Sequence, residues 1–327
     1  MIFPAVVRRL LLGAAAAFAW SLFVLPAGAQ DYPAKPIRFI VPYAPGGTGD
    51  LLARLFAERM QRVFATPVLV ENRAGANGNI GTELVARAAP DGYTILFTPA
   101  EPLVINKTLY APPKFDVDAM QPVAMIAVTP LVLIMHPKLA IETVPQLLAY
   151  ARSNPDRLNY GSQGRGSTAH ITAAMFASVA DVRLVHIPYQ GGGPAMAALL
   201  AGQVDMMFVV LSSALPHLRS GKLRVLAVGS ERRHPAVPDT PAVEEFFPGF
   251  SSANWFGMAA PAGTPMAAVN RLSAVAAEVL KEPEIASRLA DLSLAPVGST
   301  PAEMARYLKL DSERWARAIR ANGIAAE

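Results

Sequence analysis

Ile37-Arg38-Phe39-Ile40-Val41-Pro42-Tyr43-Ala44-Pro45-Gly46-Gly47-Thr48-Gly49-Asp50 sets a glycine-rich loop between an apolar strand and an amphipathic helix. Such a loop lets backbone N–H groups converge on an anion at the positive end of the helix. The helix is read from Leu52, Leu55, Phe56, Met60, Val63 and Phe64, which recur at helical spacing while Arg54, Glu58 and Arg62 take the wet face. Leu158-Asn159-Tyr160-Gly161-Ser162-Gln163-Gly164-Arg165-Gly166-Ser167-Thr168 repeats the arrangement, and His186-Ile187-Pro188-Tyr189-Gln190-Gly191-Gly192-Gly193-Pro194 does so a third time. Three such loops predict an anion cleft, and two of them facing each other would clamp a carboxylate.

Working outward, the same alternation fills the chain. Ile37 to Val41, Val68 to Val70, Thr94 to Phe97, Leu131 to Met135, Leu158 to Tyr160, Leu184 to Ile187, Met206 to Val210 and Val225 to Val228 read as strands. Several are apolar without alternation, as parallel strands covered on both faces should be. Between them lie helical patterns. Thr143-Val144-Pro145-Gln146 and Thr300-Pro301-Ala302-Glu303 place a hydroxyl cap three residues before Gln or Glu. The βαβα order predicts an α/β fold, whose ligands bind beyond the carboxyl ends of strands, where Pro42 to Asp50 and Gly161 to Thr168 would sit. From Gly263 onward the chain reads as helical, with Ala274, Ala277, Leu280, Trp315 and Ile319 as packing residues, and is expected to return to the first domain.

Residues 1–29 read as a cleavable secretory signal: Arg8 and Arg9 are the basic region, Leu10 to Val24 the apolar stretch, and Ala27-Gly28-Ala29 the cleavage site. That stretch is shorter than the roughly 20 residues that span a bilayer. Val7 and Leu10 around the arginine pair give twin-arginine export little support, so Sec export is expected. About 298 residues remain from Gln30, enough for two domains. Leu131 to Met135 and Met206 to Leu211 are strand-sized rather than membrane-spanning.

Composition excludes several chemistries. Cysteine is absent, which removes disulfides, thiolate catalysis and cysteine-ligated metal. Losing the signal takes away two arginines and lowers the formal charge from +4 to +2, too weak and scattered for a nucleic-acid footprint. Neither Gly-x-Ser-x-Gly nor a P-loop occurs. The five histidines, His136, His170, His186, His217 and His234, never fall in a metal-ligand pattern. Gly164-Arg165-Gly166-Ser167-Thr168-Ala169 does match a dinucleotide fingerprint, but Asp181, the acid that follows it, comes too early for the roughly 20-residue spacing. No cofactor is expected, and the glycines read as clearance for a smaller anion.

Within the loops, each polar residue has two readings. Ser167 or Thr168 caps the helix that follows, or adds a hydrogen bond to ligand oxygen. His170, one turn in, is a structural histidine or a ligand contact. Arg165 is a solvated loop arginine or a bidentate carboxylate partner. Asp50 caps its helix or fixes loop amides and water around the ligand, and Tyr43 walls the cleft and offers its hydroxyl.

At these residues a resemblance becomes specific. Pro42-Tyr43-Ala44-Pro45-Gly46-Gly47-Thr48-Gly49-Asp50-Leu51-Leu52-Ala53-Arg54, Glu71-Asn72-Arg73-Ala74-Gly75-Ala76-Asn77-Gly78-Asn79-Ile80-Gly81, Pro188-Tyr189-Gln190-Gly191-Gly192-Gly193-Pro194-Ala195 and Ala201-Gly202-Gln203-Val204-Asp205 resemble, in that order, the motifs of the tripartite tricarboxylate transporter substrate-binding proteins, the Bug receptors. The resemblance implies a periplasmic two-domain binding protein of the type II-like, Venus-flytrap kind, each domain α/β, with two strands crossing between them. It implies domain 1 from 30–128 with 231–327, and domain 2 from 129–230. It implies a monomer, not an enzyme, that takes a small organic carboxylate, held by backbone amides, hydroxyls and waters, to inner-membrane permease subunits.

By that resemblance Tyr43, Gly47, Thr48 and Asp50 lie on one jaw, joined by Thr98 in the loop after the Thr94 to Phe97 strand. Gln163, Gly164, Ser167, Thr168, His170, Tyr189, Gly191 and Asp205 match the other. Gln163 and Arg165 depart from the commoner pattern, and as a hypothesis they select a second carboxylate or a ring substituent; unchanged affinities after substitution of both by alanine would remove it. The competing classes are an exported hydrolase using Asp50 or His170, and a sensing ectodomain partner without transport.

Overall fold

The computed structural model describes residues 32–110 and 115–325, so the predicted signal lies outside the described residues. Lys35–Glu327 forms one compact unit, and the account below concerns it. In chain order its elements begin β1 (Ile37–Val41), α1 (Thr48–Phe64), β2 (Val68–Asn72), α2 (Asn79–Ala86) and β3 (Thr94–Pro99). A π-helical turn (Glu101–Ile105), α3 (Asn106–Leu109) and the long β4 (Gln121–Met135) follow. Next come α4 (Val144–Ser153), β5 (Asn159–Ser162), α5 (Thr168–Val179), β6 (Val185–Pro188), α6 (Gly192–Leu200), β7 (Met206–Val210), α7 (Leu211–Arg219) and β8 (Arg224–Val228). The chain closes with β9 (Ala253–Ala260), α8 (Met266–Leu280), α9 (Pro283–Asp291), β10 (Ala295–Pro296) and α10 (Pro301–Ala321).

The α/β expectation holds, with a mixed rather than parallel sheet. Its order is β2-β1-β3-β9-β4-β7-β5-β6, with β8 and β10 also paired to β4. β1 lies parallel to β2 and β3, and β5 parallel to β6 and β7, while β9 and β4 run antiparallel to their neighbours. β4 joins the two parallel groups. From Gln121 to Pro130 it pairs with β9, and from Leu131 to Met135 it pairs with β7 and β8. The chain returns beside that passage, where Gly229 donates to Leu131 O and Ser252 donates to Gly229 O at 2.7 Å.

Strand periodicity distributes the core. Leu131, Leu133 and Met135 pack with Leu147, Phe176 and Phe208 on one face of β4. Val132 and Ile134 pack with Leu199, Met207 and Val209 on the other. A third cluster gathers Ile40, Leu96 and Trp255 under Met304, Trp315 and Ile319 of α10. Thr300 and Glu303 form the expected capping box there. In α8 the buried stripe is Leu272, Val275, Ala276 and Val279. Ala274, expected to pack, is exposed, because the helix is rotated by one residue from the sequence reading. Val63 of α1 is likewise exposed, and Arg59 is buried in its place, reaching Glu282 and Glu284 at 3.5 and 2.6 Å.

Candidate ligand-binding site

Both predicted loops sit at carboxyl ends of strands, but they are built differently. In the first, Gly47 is the N-cap of α1 and supplies no side-chain cap, so the first-turn amides have no intrahelical acceptor. A Cβ at Gly46 or Gly47 would meet no atom within 4 Å. Asp50 does not cap the helix. Its Oδ2 accepts from Gly46 N at 3.0 Å and Arg54 Nε at 3.1 Å, and its Oδ1 accepts from Asn72 Nδ2 at 3.0 Å. Burial pushes this carboxyl up, and hydrogen bonds from Arg54, Gly46 and Asn72 outweigh it, holding it below the ordinary carboxylate value. Asp50 therefore fixes a loop amide, the second of its two sequence readings. The Tyr43 hydroxyl is used within its own half, donating to Asn77 O at 3.1 Å.

The second loop is closed on itself and on its surroundings. Ser167 caps α5, accepting from His170 N at 3.3 Å and donating to Gly164 O at 2.8 Å. His170 Nδ1 accepts from Gly166 N at 3.1 Å, which leaves the ring proton on Nε2. The His170 ring stacks on His186 with centroids 3.9 Å apart, and the Tyr160 ring lies beside the pair, 4.9 Å from His186 and 6.4 Å from His170. His186 Nε2 lies 2.6 Å from Ser162 Oγ. Burial and then Arg165 push His170 down to about 4. Burial, His170 and Arg165 push His186 down to about 3. Neutral imidazoles can stack so closely because neither carries charge. Gly191 N donates to Gln163 O, and Tyr189 N to Ser162 O, tying the third loop to the second. Gly191 caps α6 without a side chain, and the next two glycines are as open as those of the first loop.

Side chains join the two groups of strands along a seam. Thr48 Oγ1 lies 3.0 Å from Ser212 Oγ, bringing the start of α1 to the start of α7. Asn77 Nδ2 donates to Gly166 O at 3.3 Å, and the Tyr110 hydroxyl donates to Arg165 O at 3.4 Å. Thr168 Oγ1 donates to Glu101 Oε1 at 2.8 Å, and Asn254 Nδ2 reaches the same oxygen at 3.3 Å. Thr48 of the first loop thus meets α7 rather than the Gly161 to Thr168 loop, whose own partners are Asn77, Glu101, Tyr110 and Asn254.

Two predicted residues are placed differently from the expectation. Thr98 belongs to β3 rather than a loop, pairs with Gly257, is buried, and donates its hydroxyl to Pro99 O. Asp205 sits at the amino ends of β5 and β7, the end opposite the glycine loops. Its carboxylate accepts from Asn159 N and pairs with Lys138 at 2.8 Å. It fixes the strand starts. Sequence reasoning missed Ser212, Asn254 and Glu101. Only Glu101 left a signal, as an acid set between Phe97 and the apolar run Pro102 to Ile105. A cavity of about 420 Å³ lies away from these loops, between Leu103, Met120 and Leu308, and plays no part in the site.

Paired βα units with glycine loops at their strand ends, cross-bonded along a seam beside one shared strand, give the chain the architecture of an α/β ligand-binding protein. The chain belongs to the tripartite tricarboxylate transporter receptor family, whose model matches residues 52–324. Protein BugT of Bordetella pertussis is 35% identical over 301 residues, covering 91% of this chain and 92% of the relative. Rpa4515 of R. palustris, solved with adipate, is 32% identical with a TM-score of 0.87, covering 90% of this chain and 99% of that one. MatC of Rhodopseudomonas palustris, solved with bound malate, is 30% identical with a TM-score of 0.82, covering 88% and 100%. These relatives match over nearly nine-tenths or more of both chains, which agrees with the resemblance read from the loop motifs.

Proposed function

We propose that this chain captures a small organic carboxylate at the seam between its glycine loops and delivers it to the inner-membrane permease subunits of a tripartite tricarboxylate transporter. The observation that carries the reading is the pair of helix starts, α1 and α7, brought together by Thr48 and Ser212 with neither helix capped by a side chain. Uncapped first-turn amides favour an anion by charge and by hydrogen bonding together. The full-length relatives solved with adipate and malate fit the same chemistry. The working form is the monomer in the periplasm after removal of residues 1–29, with no nucleic acid and no cofactor. Residues 30–128 with 231–327 and residues 129–230 act as its two jaws.

Closure is driven by the ligand, because an open–closed equilibrium shifts only by the ligand's difference in affinity for the two states. An anion touching both jaws supplies that difference, and excluding water from the shut seam strengthens it. A thermal-shift screen of residues 30–327 against adipate, malate, citrate, acidic amino acids, aromatic acids and uncharged sugars tests the reading. A ligand at about 100 times its Kd stabilises by roughly 2.7 kcal/mol. Silence across the acids, or a shift with the sugars instead, would reject it.

A further inference from the structure

Glu101 is 2% exposed and forms no ion pair among the described residues. Its Oε1 accepts from Thr168 Oγ1 at 2.8 Å, from Asn254 Nδ2 at 3.3 Å and from Thr168 N at 3.4 Å, so one carboxyl oxygen holds the start of α5. Its Oε2 is buried with no hydrogen bond among the described residues. The two oxygens are therefore unequal: one holds three donors and the other none. A proton added to Oε2 costs none of the Oε1 bonds.

This acid lies at the seam where the proposed function puts an anion. Two negative charges enclosed in one dry seam disfavour each other through its low dielectric, and an acid with no cation beside it among the described residues is the one that takes a proton. We propose that Glu101 makes ligand capture proton-linked: when a carboxylate is held in the seam, Glu101 is a neutral acid protonated on Oε2, and the site takes up the anion together with a proton from solvent. The proton returns to solvent when the anion leaves. The inference rests on the carboxylate reading above and extends it.

Of the two buried acids near the seam, Asp50 of the first loop is held below its ordinary value, because its burial is outweighed by bonds from Arg54, Gly46 and Asn72, and so stays ionised; Glu101 is the one left to take the proton. Burial raises Glu101 above the ordinary carboxylate range. Tyr43 on the loop after β1 and Tyr110 after α3 are both raised above their ordinary values by burial, so both stay protonated. On the side of α5, His170 and His186 are pushed down to about 4 and about 3 and are neutral above pH 5. Arg165 of the same loop bears on both of those rings. From α10, Tyr307 is pushed up to about 12, and Asp311 is bonded to Arg314 and to the Trp255 and Trp315 indoles. Lys107 of α3 is paired with Asp118.

Isothermal titration of adipate and malate into residues 30–327, from pH 5 to 9 in phosphate and in Tris, reads the proton directly through the difference in buffer ionisation heats. Uptake should rise from near zero towards one proton as pH passes the value of the unliganded acid, and Kd should then rise up to tenfold per pH unit. Glu101→Gln, which keeps an acceptor for Thr168 and places a neutral amide at Oε2, should bind with no buffer dependence and a flat pH profile. Buffer-independent heats at every pH in the unmodified protein would overturn the inference and leave the carboxylate reading standing. Uptake that persists in Glu101→Gln would also overturn it, by assigning the proton elsewhere. Binding of neither acid would overturn the inference, and silence across the wider thermal-shift panel would take the carboxylate reading with it. The titration of the unmodified protein decides the matter even if the variant does not fold.

Discussion

The first and second glycine loops share a sequence plan and differ in every physical detail that matters. Around Gly46 and Gly47 the backbone stands open, the helix start is uncapped, and one buried aspartate pins the turn from below. Around Gly164 and Gly166 the turn is roofed: Ser167 caps, His170 holds Gly166, and Glu101 and Asn254 reach in from the other group of strands. A glycine-rich strand–helix turn is thus one scaffold with two uses. The first loop leaves its amides free for an anion, and the second spends its polar groups on rigidity and carries a buried acid.

The largest effect that separates them is expected from Glu101→Ala. It strands the buried donors of Thr168 and Asn254, and the cost should be about 3 kcal/mol in urea unfolding. A loss below about 1 kcal/mol, within the range of an ordinary surface change, would mean the second loop does not depend on its roof. Next come paired glycine substitutions. Gly166 has φ +74°, and a Cβ there would lie within 2.4 Å of Leu109 Cδ1. Gly166→Ala should cost about 2 kcal/mol through strain and overpacking, whereas Gly47→Ala should stay within about 0.5 kcal/mol. Equal losses would break the contrast.

The two buried carboxyls should respond to pH with opposite signs. Asp50 is held below its ordinary value, so its contribution is present above that value and fades as pH falls through the folded one. Glu101 is held above its ordinary value, so its contribution is complete at low pH and is lost as pH rises towards the folded value. Asp50→Asn should therefore cost more at pH 7 than at pH 3. Glu101→Gln should cost less at pH 7 than at pH 4. Parallel pH profiles would show that the two acids sit in like surroundings after all. The smallest effect is the coupling of Thr48 and Ser212, about 0.5 kcal/mol in a double-mutant cycle of alanine variants. If closure brings them together, the coupling should grow in the presence of adipate or malate.

Much of the frame was legible because strand burial writes itself into local composition. β1 and β7 begin and end where their apolar runs do. β9 and the first ten residues of β4 were missed for a converse reason. Ala124, Ala127, Ala253, Gly257 and Ala259 interrupt the bulky Val123, Met125, Ile126, Trp255, Phe256 and Met258, and Pro122 and Pro130 look like punctuation, so neither stretch shows an unbroken apolar run or a clean alternation. Their strand character comes from pairing with each other, which no local window contains. The site divides the same way. The loops and the Ser167 cap are consecutive residues and could be read. Thr48 with Ser212, and Thr168 with Glu101 and Asn254, are contacts between distant segments that only the sheet order creates. Asp205 misled because its motif marks a turn at the wrong end of the strands, where the acid is needed to start β5.

The passage of β4 through both groups of strands has a consequence for dissection. Cutting the chain near Val128 to isolate either jaw would sever a single strand in its middle, taking Thr129 and Pro130 away from β9 while Leu131–Met135 stays with β7 and β8. Each piece would end in a cut strand on the seam, and the piece that keeps β9 would expose the Ala253 and Asn254 end of that strand to unwanted pairing. Split reporters, swapped halves and minimal receptors made from this chain would do better with breaks in the surface segment between β8 and β9, leaving the shared strand whole.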